Sequence, residues 1–282
     1  MSPVPTNVRA LTGRPVGTGT RWGRIRALTG LLALTLWMPA TASAQLGVDQ
    51  LELTFKVRQT PAAAQTFQVS NSGSTPLQVT IVPGDWDRSE DGTNRFFTLG
   101  ETAGSCGEAV TVFPTSLRVE PGRSEAIRVE LRPNSKVPCQ GIFFVETPPP
   151  PAAANGRGAA VTYNIRYGVK VYAEPDMPPA GELVEAHATL ASSARGRADT
   201  LHFTFRNPGL VQTLAKGKVE IRREDDSVAQ TLPIEEFPVL GGALRRVRMP
   251  LPALPRGRYA AIVLLDIGVD DLIATQALVE IP

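Results

Sequence analysis

Hydrophobic and polar residues alternate along most of the chain after residue 60, which is the pattern of half-buried β-strands. Phe67 and Val69 alternate with polar residues, and a turn cluster at 71–74 separates them from the alternating positions of 77–81. The longest regular alternation covers residues 161–169 and places five apolar residues on one strand face. Helical periodicity is absent after the first 44 residues. The pattern therefore predicts an all-β protein.

Turn signals rich in Pro and Gly separate the predicted strands at intervals of roughly 8–12 residues, a spacing typical of antiparallel sandwiches. A proline-rich stretch at 173–181 predicts a stiff interdomain linker. About seven further strands follow within about 100 residues, the size of one immunoglobulin-like sandwich. We therefore expect two immunoglobulin-like β-sandwich domains, at 45–175 and 176–282. Turns at Asn71 and Asn207 each follow a Phe-bearing strand, which suggests that both domains share a plan.

The first 44 residues differ from the rest of the chain, because they contain five arginines, no acidic residue and an apolar run too short to span a bilayer. Small residues at Ala42 and Ala44 match the pattern that signal peptidase recognises, so we expect a signal peptide cleaved after Ala44. An uncleaved anchor is the alternative. The chain has 29 basic and 27 acidic residues, and removing the five arginines leaves 24 against 27, a formal charge of −3. The basic character belongs to the leader and indicates no nucleic-acid partner. We expect an exported protein without a membrane span.

Motifs of enzyme chemistry are missing from the sequence, which has no phosphate-binding glycine loop, no GxSxG and no HExxH. His187 and His202 are isolated in the sequence and supply no metal site. We therefore expect no catalytic residue, no cofactor and no metal. Cys106 and Cys139 are the two cysteines, and in an oxidising compartment they either form a disulfide or remain inert thiols. The acidic segment at 85–92 is interpreted as a solvated hairpin loop, with a calcium loop as the weaker alternative.

Three segments carry a resemblance to a known family. The sequence VFPTSLRVEPG at 112–122, followed by an Arg-bearing apolar strand, resembles the central signature of PapD-like periplasmic pilus chaperones. Asn71 and Pro76 resemble that family's second strand and its turn. Lys170, followed by Val-Tyr and by a proline five residues on, resembles the motif that closes the family's first domain. The resemblance covers 46–175 by motif and the second domain only by size and strand content.

The resemblance implies a periplasmic chaperone that holds pilus or fimbrial subunits and delivers them to an outer-membrane usher. Such chaperones lend the strand before the lysine to the subunit, and the matching side chains here are Val161, Tyr163 and Ile165. The family's lysine and an arginine bind the subunit's terminal carboxylate. Lys170 matches the lysine, and Arg58 is the candidate arginine. Alternatively, Arg58 is a surface residue and the family arginine is absent.

A second hypothesis is a structural or adhesive two-sandwich protein of the cell envelope, in which the strand at 161–171 is an ordinary core strand. The sequence also departs from the family, because residues 137–141 replace an acidic and arginine-bearing segment. The two cysteines are not placed as in the long-loop chaperones of the family. These departures suggest a divergent branch of the chaperones.

Overall fold

The computed structural model describes residues 45–57, 63–133, 135–148, 165–190, 192–193, 196–197 and 199–282. Within these ranges the regular structure consists of β-strands and one short 3₁₀ turn at Gly107–Ala109. The all-β class predicted from the alternation is therefore confirmed. The predicted signal peptide lies outside the described residues and stays a prediction.

The first sandwich consists of two sheets that enclose one apolar core. Its first sheet has the strand order β1-β3-β8-β6, and its second has the order β2-β10-β9-β4-β5, with β7 paired to β4. In the described residues its ten strands are Leu46–Val48 (β1), Glu52–Val57 (β2), Ala63–Asn71 (β3), Leu77–Arg88 (β4), Asn94–Phe97 (β5), Val110–Phe113 (β6), Ser116–Val119 (β7), Ser124–Leu131 (β8), Cys139–Glu146 (β9) and Arg166–Pro175 (β10).

Alternation explains which side chains fill this core. Phe67 and Val69 from β3, and Val79 and Ile81 from β4, are almost fully buried, while the residues between them are more exposed. The pairing of β10 with β2 is parallel and the pairing of β10 with β9 is antiparallel. Residues from both sheets meet in a single cluster, as a sandwich requires.

The second sandwich has a three-stranded sheet in the order β11-β14-β17 and a four-stranded sheet in the order β16-β15-β18-β19. Its core contains Phe203 and Phe205 from one sheet and Val219 and Val263 from the other. A small separate hairpin pairs β12 with β13. In the described residues the strands are Glu182–Thr189 (β11), Ser192–Ser193 (β12), Gly196–Arg197 (β13), Thr200–Arg206 (β14), Thr213–Arg223 (β15), Val228–Val239 (β16), Leu244–Pro250 (β17), Gly257–Asp266 (β18) and Ile273–Ile281 (β19).

Both sandwiches use one buried asparagine in the same way, so the shared plan predicted from the turns is present. The Asn71 Nδ2 donates to the carbonyls of Thr75 and Val119, at 2.8 and 3.0 Å, and its Oδ1 accepts from the Gly73 amide. The Asn207 Nδ2 likewise donates to the carbonyl four residues on, at 2.8 Å, and to a carbonyl of β16, at 3.0 Å. Each asparagine fixes a turn that would otherwise bury unpaired carbonyls.

The two sandwiches contact each other through the hairpin between β4 and β5. The amide of Arg246 donates to the Glu90 carbonyl at 2.7 Å, and the Arg246 Nε lies 2.9 Å from the Glu90 carboxylate. Gly92, at φ +91°, packs so closely on Arg245 that any side chain there would collide with the guanidinium. The interpretation of 85–92 as a solvated hairpin loop therefore holds only for the tip, where Glu90 and Asp91 are exposed, and is wrong for the buried Asp85 and Trp86. Its first four residues end β4, and its tip packs on the second sandwich, because a loop between two sandwiches can bury surface against both.

No sheet in the described ranges contains strands of both sandwiches. The part of the chain that the structure describes nevertheless forms one compact unit. A boundary between two separately folding domains after residue 175 therefore stays a prediction. Residues 176–181 of the predicted linker contain no strand, whereas Pro175 is the last residue of β10.

Candidate functional site

One edge of β10 changes from paired to open at Lys170. On one side, β9 pairs with β10 from Arg166 to Ala173. On the other side, β2 pairs with β10 only from Lys170 to Pro175, and the Lys170 amide donates to the Leu51 carbonyl at 2.8 Å. Residues 166–169 therefore have no strand on this second side in the described structure. A strand edge of this kind offers unpaired backbone groups to another chain.

Lys170 lies at the end of this open edge, with only 15% of its side chain exposed. Its Nζ is 3.5 Å from Oε1 of Glu52 and 4.6 Å from the centroid of the Trp86 ring. Burial lowers the pKa of Lys170, the charge of Arg88 lowers it further, and Glu52 acts in the opposite direction. The site therefore contains a partly desolvated cation whose charge is only partly compensated.

Arg88 supplies a second cation, which the sequence analysis did not select. It extends from the end of β4, and its Cζ lies 5.2 Å from the Trp86 ring centroid. Its Nη1 donates to the Pro238 carbonyl of the second sandwich at 3.4 Å. Trp86 and Arg88 share one face of β4 because they are two residues apart. This spacing could have indicated that the two residues act together, but the interpretation of 85–92 as a solvated loop did not assign them to a strand.

Tyr172 completes the group and connects it to the sheet. Its ring packs edge-on against Trp86 with centroids 5.6 Å apart, and its hydroxyl donates to Oε1 of Glu52 at 3.4 Å. Burial is the main cause that raises the pKa of Tyr172 well above its usual range. Leu240 of the second sandwich packs in the same buried cluster. We refer to Lys170, Arg88, Trp86, Tyr172 and Glu52 as the Lys170 cluster.

The other residues predicted for this site have different outcomes. Arg58, Val161 and Tyr163 lie outside the described residues, so their roles stay predictions. Ile165 is described just before β10, and its side chain is 38% exposed. Lys56, the basic neighbour of the candidate arginine, is held elsewhere by Glu174.

Glu174 joins the two sandwiches at the other end of β10. One of its carboxylate oxygens accepts from the Lys56 Nζ at 2.8 Å, and the other accepts from the Gln212 amide at 2.6 Å. Glu174 is almost fully buried. Lys56 therefore neutralises a carboxylate at the junction and is not available to the Lys170 cluster.

An apolar surface continues from Lys170 toward the start of β10, on the same face of the sheet. Phe144 lies edge-on to the half-exposed Phe96, with ring centroids 5.6 Å apart. The Arg166 guanidinium lies 3.5 Å above the Phe144 ring and 3.1 Å from the Glu146 carboxylate. Aromatic surface thus adjoins β10 on its β9 side, opposite the open edge.

Cys106 and Cys139 form a disulfide, with their Cα atoms 4.8 Å apart. It connects the 3₁₀ turn to the first residue of β9, and neither sulfur is available as a nucleophile. The same loop is held by Asp85, which is fully buried. Its carboxylate accepts from the amides of Gly100 and Thr102, and from the hydroxyls of Thr102 and Ser105.

The two histidines, isolated in the sequence, are neighbours in the structure. His187 on β11 and His202 on β14 are direct cross-strand neighbours with parallel rings 4.9 Å apart. The alternation within each strand gave no information about which strands pair. Within the described ranges, no group of three or more His, Cys, Asp or Glu side chains is suited to hold a metal ion. Those ranges also contain no helix of the length and apolar character needed to cross a membrane.

Comparison with known proteins gives only remote likenesses. No family model matches the sequence, and no curated protein matches it. The class 5 fimbriae chaperone CfaA shares 11% identity at a TM-score of 0.49, over 84% of this chain and 99% of that chain. The E. coli chaperone DraB shares 15% at 0.41, over 84% and 96%.

A structure of the Salmonella enterica SafA pilin with the SafB chaperone contains a third match, with 13% identity at a TM-score of 0.43, over 84% of this chain and 98% of that chain. The chain is thus similar in structure to several fimbrial chaperones at low identity.

Proposed function

We propose that this chain is a periplasmic chaperone that stabilises pilus or fimbrial subunits by lending them a β-strand. The observation that carries the proposal is the edge of β10, which β2 covers from Lys170 onward and leaves open over residues 166–169. A subunit that lacks its last strand exposes unpaired backbone groups, and an added strand satisfies them. Val161, Tyr163 and Ile165 would then fill successive pockets of the subunit.

In this proposal, the subunit's terminal carboxylate binds at the end of the lent strand. Lys170 is the first ligand, and Arg88, which lies against the same Trp86 ring, is the candidate for the second. A hydrogen bond between charged groups contributes about 1.5–3 kcal/mol. Arg58 remains a further candidate from the sequence. Placing the carboxylate at Lys170 fixes which residues of β10 face the subunit.

The same proposal places the mature protein in the periplasm, after removal of residues 1–44, and has it deliver subunits to an outer-membrane usher. The sequence has no nucleotide-binding motif, so the energy for assembly would come from subunit folding. The protein would be neither an enzyme nor a metalloprotein. It would act by recognising the subunit's backbone groups and its terminal carboxylate.

The test is co-expression in the periplasm with a small secreted pilin encoded beside this gene. The native protein should protect the pilin from degradation and co-purify with it. Lys170→Ala should reduce the amount captured about tenfold or more, since a loss of about 1.4 kcal/mol is tenfold in affinity. Lys218→Ala is the matched control, because Lys218 pairs with Glu220 at 2.8 Å on the second sandwich. Equal capture by the native protein and Lys170→Ala would refute the role of Lys170.

A structural or adhesive protein of the cell envelope is the second candidate. The half-exposed Phe96 and the exposed Phe113, which has 76% of its surface accessible, favour it because adhesive surfaces present apolar groups. Neighbouring genes for an usher and small pilins would favour the chaperone. Mature protein on the cell surface, with no such genes nearby, would favour the adhesive role.

A further inference from the structure

The Lys170 cluster already contains a carboxylate. Glu52 lies directly opposite Lys170 in the parallel ladder between β2 and β10. Its Oε1 is within 3.5 Å of both the lysine Nζ and the tyrosine hydroxyl of the cluster. The Glu52 side chain is 50% exposed, whereas that of Lys170 is 15% exposed. The cation is therefore enclosed, and its carboxylate partner lies at the entrance.

A second carboxylate is opposed by the charge already present. The ammonium has further N–H donors to offer, but an incoming carboxylate would place a second negative charge beside Glu52, and the two like charges repel each other. Arg88 is itself a cation, so it offers no alternative anion to the lysine. Because Glu52 is half-exposed, its side chain can rotate into water at little cost. Lys170, which packs on Trp86, is fixed.

We propose that Glu52 is a resident carboxylate, which holds Lys170 in the free protein and competes with the subunit's terminal carboxylate for it. This inference rests on the proposed function, because it assigns a regulator to the same site. Glu52 would weaken binding of the subunit and speed its release, because the Lys170 ammonium can form an ion pair with Glu52 as the subunit's carboxylate leaves. A chaperone that must hand its subunit on benefits from such a competitor.

The expected effect is modest because the pair is partly exposed. Exposed ion pairs contribute about 0.2–1 kcal/mol, so Glu52→Gln should tighten carboxylate binding by roughly 1.4- to fivefold, mainly through slower release. Glu52→Ala should act in the same direction. Glu130→Gln is the matched control, because Glu130 pairs with Arg128 on the other sheet of the same sandwich and should change nothing.

The experiment uses the mature protein, in which Trp86 is the single tryptophan once Trp22 and Trp37 leave with the leader. Its fluorescence is titrated with N-acetyl-alanyl-alanine and with the C-terminal amide of the same peptide. The native protein should prefer the carboxylate, Glu52→Gln should increase that preference, and Lys170→Met should abolish it. Unchanged affinity in both Glu52 variants would overturn the inference, as would a carboxylate peptide that binds no variant.

Failure of the proposed function gives a different result from failure of this inference. If pilin capture fails while the Glu52 variants still bind the peptide more tightly, the chaperone role is refuted and the competition at Lys170 is supported. If capture succeeds and depends on Lys170 while the Glu52 variants behave as the native protein, the chaperone role stands and the resident carboxylate is refuted.

Discussion

Asn71 and Asn207 provide a paired test of what holds the two sandwiches together. Each side chain is at most 1% exposed, and each makes three hydrogen bonds with backbone groups. Replacing either by alanine removes all three and leaves backbone groups buried without partners. A net contribution of about 1 kcal/mol per bond gives a loss of about 3 kcal/mol for each variant. For a protein of this size that corresponds to a fall in melting temperature of roughly 6–12 °C.

The assay is urea unfolding followed by circular dichroism and by Trp86 fluorescence. Gln78→Ala is the control, because Gln78 is an exposed amide whose side chain bonds only to Ser116 on the surface, at 3.0 Å. Its effect should stay within about 0.5 kcal/mol. A loss below about 1 kcal/mol for Asn71→Ala, no larger than the control, would refute the reasoning about the buried turn.

The pair also tests the predicted domain boundary after residue 175. If the sandwiches unfold as one unit, the double variant should lose about 6 kcal/mol, since the two asparagines share no partner. If they unfold separately, Asn71→Ala should shift the transition that Trp86 reports, and Asn207→Ala should leave that transition in place. Either result decides between one cooperative unit and two domains.

Two further predictions concern the loop below the Lys170 cluster and the outer face of the second sandwich. Asp85→Ala should lower the free energy of unfolding by about 3 kcal/mol, because a buried carboxylate that accepts four hydrogen bonds is lost. It should also speed amide hydrogen exchange at residues 98–105, and unchanged exchange would contradict this prediction. Burial lowers the pKa of His202 below its usual 6.5, and the charges of His187 and Arg248 lower it further. The unfolded chain therefore binds this proton more readily, so stability should fall as the pH drops below about 6.5. His202→Gln should flatten that part of a melting-temperature profile between pH 5 and 8, and an unchanged slope would contradict the assignment.

Local patterns predicted the fold because the forces that choose strands act over a few residues. Alternation identified Phe67, Val69 and Ile81 as core residues, and all three are almost fully buried. The Asn turn was visible because Asn71-Ser72-Gly73 and Asn207-Pro208-Gly209 consist of residues that favour turns. The buried role of each asparagine was less accessible, since its second carbonyl partner lies 48 or 32 residues away.

The candidate site was only partly predictable, because it is made by pairing between distant segments. Lys170 was found from its motif, whereas Glu52 meets it across 118 residues through a register that alternation does not encode. Arg88 and Trp86 were overlooked because an acidic segment looked solvated. Only the pairing of β4 and the packing of the second sandwich show that the first part of this segment is buried and that its exposed tip contacts the second sandwich.

The distribution of charge explains why an anion would bind to a chain that is slightly acidic once the leader is removed. Screening by salt limits the reach of an exposed charge to about 8–10 Å, so the groups nearest to the site determine whether an anion binds there. At the junction these include Lys170, Arg88 and Arg245, and burial lowers the pKa of both Lys170 and Arg245. Nε and Nη1 of Arg245, and Nε1 of Trp86, are buried without an acceptor in the described part of the chain. Burial of cations and donors is unfavourable until an anion compensates for it. The proposed affinity for a carboxylate would therefore be a local consequence of packing two sandwiches against one basic strand end.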